Sequence, residues 1–433
     1  MDYNKKASDF MKKLISFHSA EGIPEEGAPF GKGVRECLDY ALSVLEKNGF
    51  RTKNGNGYYG YGDVGEGELF GVLCHLDVVP EGDGWHYDPY GAEEVDGRVY
   101  GRGALDDKGP FAACFYAAVR LLEEGYKPTK KLRFILGCDE ESGWKCMDSY
   151  CANEEMPKLG FSPDGDFPVI NCEKGIVYHT IKFALPKGVK EFKAGERANM
   201  VPNYAEVTFE NTAEIKDKLI SFGTEFTEDG KYIRVSADGV SAHGSHPEAG
   251  DNAIIKLLKK IACADGKFAE LAEKFDAFDG SRVGIRLYDE VSGGLTLNLG
   301  CARTENDEIV FELDIRHPIS YKKDDITAVL KRELPDMTVE QGFFHLPLYV
   351  AKDNELVVSL LSAYNEVTGQ NADPVSIGGG TYARVLPLGV AFGPCFPGGN
   401  SGMHCADEYM EISDFEKMSE IYYEAFKKLC FEK

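Results

Sequence analysis

Apolar residues recur along the chain at two spacings, one typical of amphipathic helices and the other of buried strands. Helical spacing through residues 10–17 and 34–45 predicts two helices within the first 50 residues. Continuous apolar runs at 69–74 and 131–137 predict two buried strands. Each of these runs ends abruptly at polar residues, so the strand ends are the first places to look for chemistry.

The pattern changes near residue 175, where runs with strand character become more frequent. A chain of 433 residues is too long for one ordinary core, so two domains are expected. We predict one domain from 1–174 and 353–433, with an inserted domain at 175–352. Within the insert, strands are predicted at 176–184, 205–210, 231–239, 295–301 and 308–315, with helices near 213–221, 251–263 and 322–333. This mixture predicts an α+β insert.

Composition narrows the class of protein. With 43% hydrophobic and 28% charged residues, the chain is typical of a globular protein. A formal net charge of −24 argues against nucleic acid as a partner, because phosphates would be repelled. Apolar runs are too short to span a membrane, and the start leads into no signal segment. The 12 cysteines are scattered without a Cys-x-x-Cys pair, which favours reduced, structural thiols in a cytoplasmic protein.

Imidazoles and carboxylates collect just past the predicted strands and at one helix entry. His75 and Asp77 lie two residues apart at a strand end, so both project to the same side. Three consecutive acids after the second strand repel one another unless a cation or solvent relieves them. Two neighbouring aspartates at a helix entry have an equally good explanation in the helix dipole, and a Pro-Asp-Gly sequence alone indicates a turn. The candidate ligands are His75, Asp106, Glu141, Asp164 and His404.

Nitrogen and oxygen ligands without thiolates fit zinc, manganese or cobalt. Five ligands are too many for one catalytic zinc with an open position, but they fit two metals that share a bridging carboxylate. Glu140, next to a ligand, is the predicted general base that takes a proton from the attacking water. Asp77 is predicted to hydrogen-bond His75 and fix its tautomer.

Four motifs, in this order, resemble those of the co-catalytic metallopeptidases that include aminoacylase and carboxypeptidase G. They are His75-Leu-Asp77-Val-Val-Pro80, Gly101-Arg-Gly-Ala-Leu-Asp106-Asp107-Lys-Gly109, Asp139-Glu140-Glu141-Ser142-Gly143 and the late His404. The chain is most similar to the dinuclear Xaa-His and β-alanyl dipeptidases of the peptidase V type, and the resemblance covers nearly the whole chain. It implies a zinc-aminopeptidase-like α/β catalytic domain, with a mixed sheet flanked by helices, and an inserted α+β lid domain.

The resemblance also implies a role for each matched residue. His75 and Asp164 would hold one divalent ion, Glu141 and His404 the other, and Asp106 would bridge them, with a cis peptide bond at 106–107. An aspartate at position 164 favours dipeptidases over carboxypeptidases. In the insert, His243 would stabilise the oxyanion with help from Asn199, and Arg316 would bind the substrate's carboxylate. Gly379, in a triple-glycine run that is not a phosphate loop, is also predicted to contact substrate.

The sequence therefore predicts a dipeptidase that hydrolyses unblocked dipeptides with water activated by two metal ions, zinc or manganese. A peptide is the expected partner, the chain is expected to be a cytoplasmic monomer, and closure of the lid is expected to complete the site. The alternative within the same family is a deacylase or desuccinylase of N-acyl amino acids. A metal-dependent binding protein without turnover is the alternative of a different class, disfavoured by the presence of Glu140 and Asp77.

Overall fold

The computed structural model describes residues 2–399 and 402–433. Its helices are α1 (Tyr3–Ile15), α2 (Lys32–Lys47), α3 (Lys108–Glu123), α4 (Lys145–Asn153), α5 (Ala213–Phe222), α6 (Ala253–Lys260), α7 (Gly266–Lys274), α8 (Lys323–Glu333), α9 (Glu355–Thr368) and α10 (Ile412–Leu429). Among the helices of the described ranges, none combines the length and apolarity needed to cross a bilayer.

The strands are mostly short. They are β1 (Arg51–Asn54), β2 (Tyr59–Val64), β3 (Leu69–His75), β4 (Glu93–Val95), β5 (Arg98–Tyr100), β6 (Lys127–Pro128), β7 (Lys131–Gly137), β8 (Leu159–Ser162), β9 (Ile170–Glu173), β10 (Gly175–Ala184), β11 (Val189–Ala194), β12 (Tyr204–Glu210), β13 (Thr227–Glu228), β14 (Tyr232–Asp238), β15 (Tyr288–Asp289), β16 (Gly293–Gly294), β17 (Thr296–Glu305), β18 (Glu308–His317), β19 (Thr338–His345), β20 (Leu348–Tyr349), β21 (Val375–Ile377), β22 (Leu388–Ala391), β23 (Tyr409–Glu411) and β24 (Phe431–Glu432).

The chain folds as two units. The first comprises Met1–Asn171, Val350–Val375 and Thr381–Lys433, and the second comprises Cys172–Tyr349 and Ser376–Gly380. The second unit thus begins at Cys172 and ends its long segment at Tyr349, where the sequence predicted 175 and 352. The short piece Ser376–Gly380, predicted in the catalytic domain, belongs by its contacts to the second unit. A segment of five residues is too short to show a periodicity that could have assigned it.

The main sheet of the first unit has the strand order β1–β2–β7–β3–β8–β22–β9. Its centre is parallel: β3 pairs with β7 and β8, and β8 pairs with β22. β3 is buried along its whole length, as expected for a strand at the centre of a parallel sheet. The register sets His75 opposite Gly137. Because parallel strands end at the same edge, the residues after β3, β7, β8 and β22 come together there.

The second unit has an antiparallel sheet of order β13–β14–β12–β11–β17–β18–β10–β19. Apolar residues of α5, α6, α7 and α8 pack with those of the sheet in a separate hydrophobic core. The predicted fold class, an α/β domain with an inserted α+β domain, is confirmed. Sequence periodicity did not predict β11 and β19, because both strands contain many charged or exposed residues and so lack a clear apolar run.

Candidate metal centre

The candidate ligands follow neighbouring strands of the first unit. His75 is the last residue of β3, Glu141 follows β7, and Asp164 follows β8. Asp106 lies two residues before α3, and the peptide bond that joins it to Asp107 is cis, as the family resemblance implied. His404 comes from the loop after β22.

The Asp106 carboxylate lies between two histidines. Its Oδ1 is 2.7 Å from His75 Nε2, and its Oδ2 is 2.9 Å from His404 Nε2. Glu141 Oε1 lies 3.1 Å from the same nitrogen of His404, and Asp164 Oδ2 lies 3.8 Å from His75 Nε2. One carboxylate therefore presents a separate oxygen to each of two imidazoles, and each imidazole has a further carboxylate beside it.

Two sets of donor atoms each lie close enough to hold a metal ion. One set is His75, Glu140 and Asp164, and the other is His75, Asp106 and Glu141, with all atoms of a set within 4.8 Å of one another. Glu140 thus lies near the donors, although the sequence predicted an uncoordinated base. At this distance from His75 and Asp164, Glu140 can act either as a metal ligand or as the general base.

Crowding of the carboxylates changes their affinity for protons. Burial and the neighbouring Asp164 raise the pKa of Glu140 well above its ordinary value. Burial and the Asp106 charge raise the pKa of Asp164 in the same way. Burial also opposes ionisation of Asp106, but hydrogen bonds with His404 and His75 hold the pKa of Asp106 below its ordinary value. Divalent cations would relieve this repulsion, and imidazole nitrogens with carboxylate oxygens suit them, so the donor set fits two such ions.

Two further carboxylates hold the backbone of this cluster. Asp107 Oδ2 accepts a hydrogen bond from the His75 N–H at 3.1 Å, and Asp77 Oδ2 accepts one from the Glu141 N–H at 3.0 Å. The hydrogen bond predicted between the Asp77 carboxylate and His75 differs in the structure. His75 Nδ1 lies 2.9 Å from the Asp77 carbonyl oxygen, whereas Oδ1 of the carboxylate is 3.7 Å away. The short backbone contact arises because the chain turns directly after β3.

In the second unit, His243 and Ser245 form a local pair. Ser245 Oγ lies 2.6 Å from His243 Nδ1, and the Ser245 N–H donates to the same nitrogen at 3.2 Å. A nitrogen that accepts from a backbone N–H is unprotonated, so the imidazole proton of neutral His243 is on Nε2. Asn199 reaches this loop through its backbone, because its carbonyl accepts from the Gly244 N–H at 2.7 Å.

Arg316 is buried in the second unit and already has partners. Its Nε and Nη2 each donate to one oxygen of Asp314 at 2.7 Å, and its Nη1 donates to the Gly378 carbonyl at 3.0 Å. Gly378, the neighbour of Gly379 in this loop, thus hydrogen-bonds Arg316. Asp314 was missed, although its two-residue spacing from Arg316 on β18 indicates that both project from the same face.

The model of Peptidase family M20/M25/M40 matches residues 71–428. The chain belongs to this family. It is therefore a peptide-bond hydrolase, and the resemblance drawn from the four motifs is confirmed.

Relatives match over almost the full length. A Bacillus subtilis (strain 168) protein proposed to be a dipeptidase is 39% identical over 460 residues, covering 98% of each chain. A proposed dipeptidase of Staphylococcus epidermidis is 34% identical over 462 residues, covering 100% of this chain and 98% of the other. The crystal structure of human carnosine dipeptidase 1 has a TM-score of 0.61 at 16% identity, covering 98% of this chain and 96% of that one. The last match shows a shared fold.

Proposed function

We propose that the chain is a metal-dependent dipeptidase that hydrolyses unblocked dipeptides. The observation that carries the proposal is the Asp106 carboxylate, with one oxygen near His75 Nε2 and the other near His404 Nε2. Shared carboxylates of this kind are typical of two-metal hydrolytic sites. The full-length similarity to two proposed dipeptidases supports the choice of substrate.

In this proposal His75 and Asp164 would hold one divalent ion, Glu141 and His404 would hold the other, and Asp106 would contribute to both. The absence of thiolates from the donor set suits zinc or manganese. When bound, the two ions would supply Lewis-acid activation of water and of the scissile carbonyl.

The protein's own groups then move protons and hold the substrate. Glu140 takes a proton from the attacking water and delivers it to the leaving amine. The Nε2–H of His243 donates to the developing oxyanion, with Asn199 assisting. Arg316 binds the free carboxylate of the dipeptide, and Gly379 lines the same part of the site. Asp77 acts indirectly, by holding the backbone of Glu141 and the imidazole of His75.

We also propose that the chain works as a monomer in the cytoplasm, with the second unit acting as a lid. Buried thiols outside disulfides, such as Cys74, Cys138 and Cys430, support a reducing compartment. Sedimentation of the purified chain should give the mass of one copy, and a dimer mass would remove the monomer from the proposal.

The function is tested with one unblocked dipeptide and one N-acetyl amino acid, assayed before and after treatment with a chelator. We expect hydrolysis of the dipeptide, loss with the chelator, recovery with Zn²⁺ or Mn²⁺, and about two metal ions per chain. His404→Ala should lose metal and activity. His86→Gln is the matched control, since His86 is an exposed histidine of the same unit that pairs with Asp407. Faster turnover of the N-acetyl amino acid would identify a deacylase instead.

A further inference from the structure

Glu408 is a fully buried carboxylate with no part in the chemistry described so far. Its Oε1 accepts hydrogen bonds from the backbone N–H groups of Gly103 at 3.1 Å, Leu105 at 2.9 Å and Asp106 at 3.3 Å. Its Oε2 accepts from Nη1 of Arg102 at 2.7 Å, and Arg102 is buried as well. Four donors therefore converge on one side chain.

The turn at 103–106 needs a hydrogen-bond acceptor at this place. Its three N–H groups point towards one position, and a buried N–H left without a partner is destabilising. Gly103 has φ +89°, which bends the chain so that the N–H groups of residues 103, 105 and 106 can face one acceptor. A carboxylate that is also paired with a buried guanidinium satisfies all three at once.

The same residue belongs to the segment that carries His404. Glu408 lies four residues further along, and its carbonyl accepts from the Gly101 N–H at 2.9 Å. Directly after it, β23 pairs with β5, with Tyr409 opposite Tyr100. Glu408 therefore ties the loop of His404 to the turn of Asp106 through both its backbone and its side chain.

We propose that Glu408, held by Arg102, is a positioning residue that fixes Asp106 relative to His404 so that each Asp106 oxygen faces one imidazole. The inference rests on the proposed function, in which these side chains hold two divalent ions. Glu408 reaches the proposed metal-binding residues through the hydrogen bond from the Asp106 backbone N–H. Its loss is therefore expected to weaken metal binding and to leave the chemistry intact once metal is bound.

The test is Glu408→Gln in the full chain, with Zn²⁺ affinity measured by competition against a chelator. Glutamine keeps the size, but its NH₂ group must face either the three N–H groups or Arg102, so one set of donors loses its acceptor. We expect the affinity for the more weakly bound of the two Zn²⁺ ions to fall about 10–100-fold, as for other groups that orient metal ligands. kcat should recover when Zn²⁺ is saturating.

Glu411→Gln is the matched control. Glu411 pairs with Arg98 at 2.8 Å on the same β5–β23 ribbon, but this pair is partly exposed and its partner Arg98 lies outside the 103–106 turn. Its Zn²⁺ affinity should equal that of the unmodified chain. A Glu408→Gln variant that binds Zn²⁺ as tightly as this control, while melting at a lower temperature, would overturn the positioning role and leave only a structural one.

If Glu408→Gln does not fold, a second variant tests the same inference. Arg102→Lys keeps the charge beside Glu408 but replaces the planar fork, and should weaken Zn²⁺ binding by about tenfold. Unchanged affinity in this variant would also overturn the inference. Failure of the proposed function looks different: the unmodified chain would bind Zn²⁺ yet hydrolyse no dipeptide, and the variants could still be compared by affinity.

Discussion

Replacement of Arg316 tests whether its guanidinium binds the carboxylate of a dipeptide. A single substitution, however, would also remove the partner of the buried Asp314 carboxylate. Asp314 is fully buried, and both of its oxygens accept hydrogen bonds from Arg316 at 2.7 Å. Arg316→Met leaves that carboxylate buried without its partner, which costs about 3–5 kcal/mol of the free energy of unfolding. The double variant Asp314→Asn, Arg316→Met removes the charge together with its partner and should regain much of this loss.

The expected effect on catalysis follows from the donors of the guanidinium. Asp314 and Gly378 use three of its five N–H groups, which leaves one on Nη1 and one on Nη2 for a substrate carboxylate. Two hydrogen bonds between charged groups contribute about 3 kcal/mol together, at the lower end of their usual range. That corresponds to about 100-fold in kcat/KM.

The assay compares one dipeptide with its C-terminal amide. We expect the unmodified chain to prefer the free acid by about 100-fold, and both variants to lose that preference. Denaturant unfolding should show a large loss of stability only in the single variant. Equal losses of kcat/KM on the acid and the amide would show that Arg316 does not recognise the carboxylate, whatever its effect on stability.

Three further predictions concern single side chains. Glu140→Gln should lower kcat by about 10²–10⁴-fold with metal content still near two per chain; loss of a metal ion would show that Glu140 is a ligand. Ser245→Ala should lower kcat about fivefold, because it removes one of the two hydrogen bonds to His243 Nδ1, with a contribution of about 1 kcal/mol, and leaves the one from the Ser245 N–H. His243→Ala should lower kcat about 100-fold, and a larger effect of the serine substitution would contradict this order. Burial lowers the pKa of His179 to about 4, so the unfolded chain takes up a proton that the folded chain does not. The free energy of unfolding should fall by at most about 3 kcal/mol as the pH drops from 6.5 to 4, and His179→Gln should flatten that slope.

The strand ends could be predicted from sequence because two local rules coincide there. An apolar run that ends in His75, or in the acids after Gly137, marks both a buried strand and the functional edge of a parallel sheet. The register of β3 with β7 then brings these residues together without further information. The fold class followed from the same runs and from the family motifs.

What the sequence could not predict depends on pairings between distant segments. The Asp106 N–H and Glu408 are 302 residues apart, and a Glu in a polar loop has no local sign of burial. The hydrogen bond from His75 N–H to Asp107 depends on how the turn before α3 packs on β3. Spacing alone predicted that the Asp77 carboxylate would orient the His75 imidazole. Because the chain turns after β3, the Asp77 carbonyl oxygen makes this contact instead.

These pairings share one pattern. Three residues proposed to hold metal each donate their backbone N–H to a different buried carboxylate: His75 to Asp107, Glu141 to Asp77 and Asp106 to Glu408. The three acceptors approach the backbone, while the side chains of the proposed ligands point to the shared centre. Conversion of any of these acceptors to its amide should therefore act through metal affinity, with kcat restored at saturating Zn²⁺. Conversion of Glu140 should act on kcat at every metal concentration, and the contrast between these two responses separates the acids that build the centre from the acid proposed to use it.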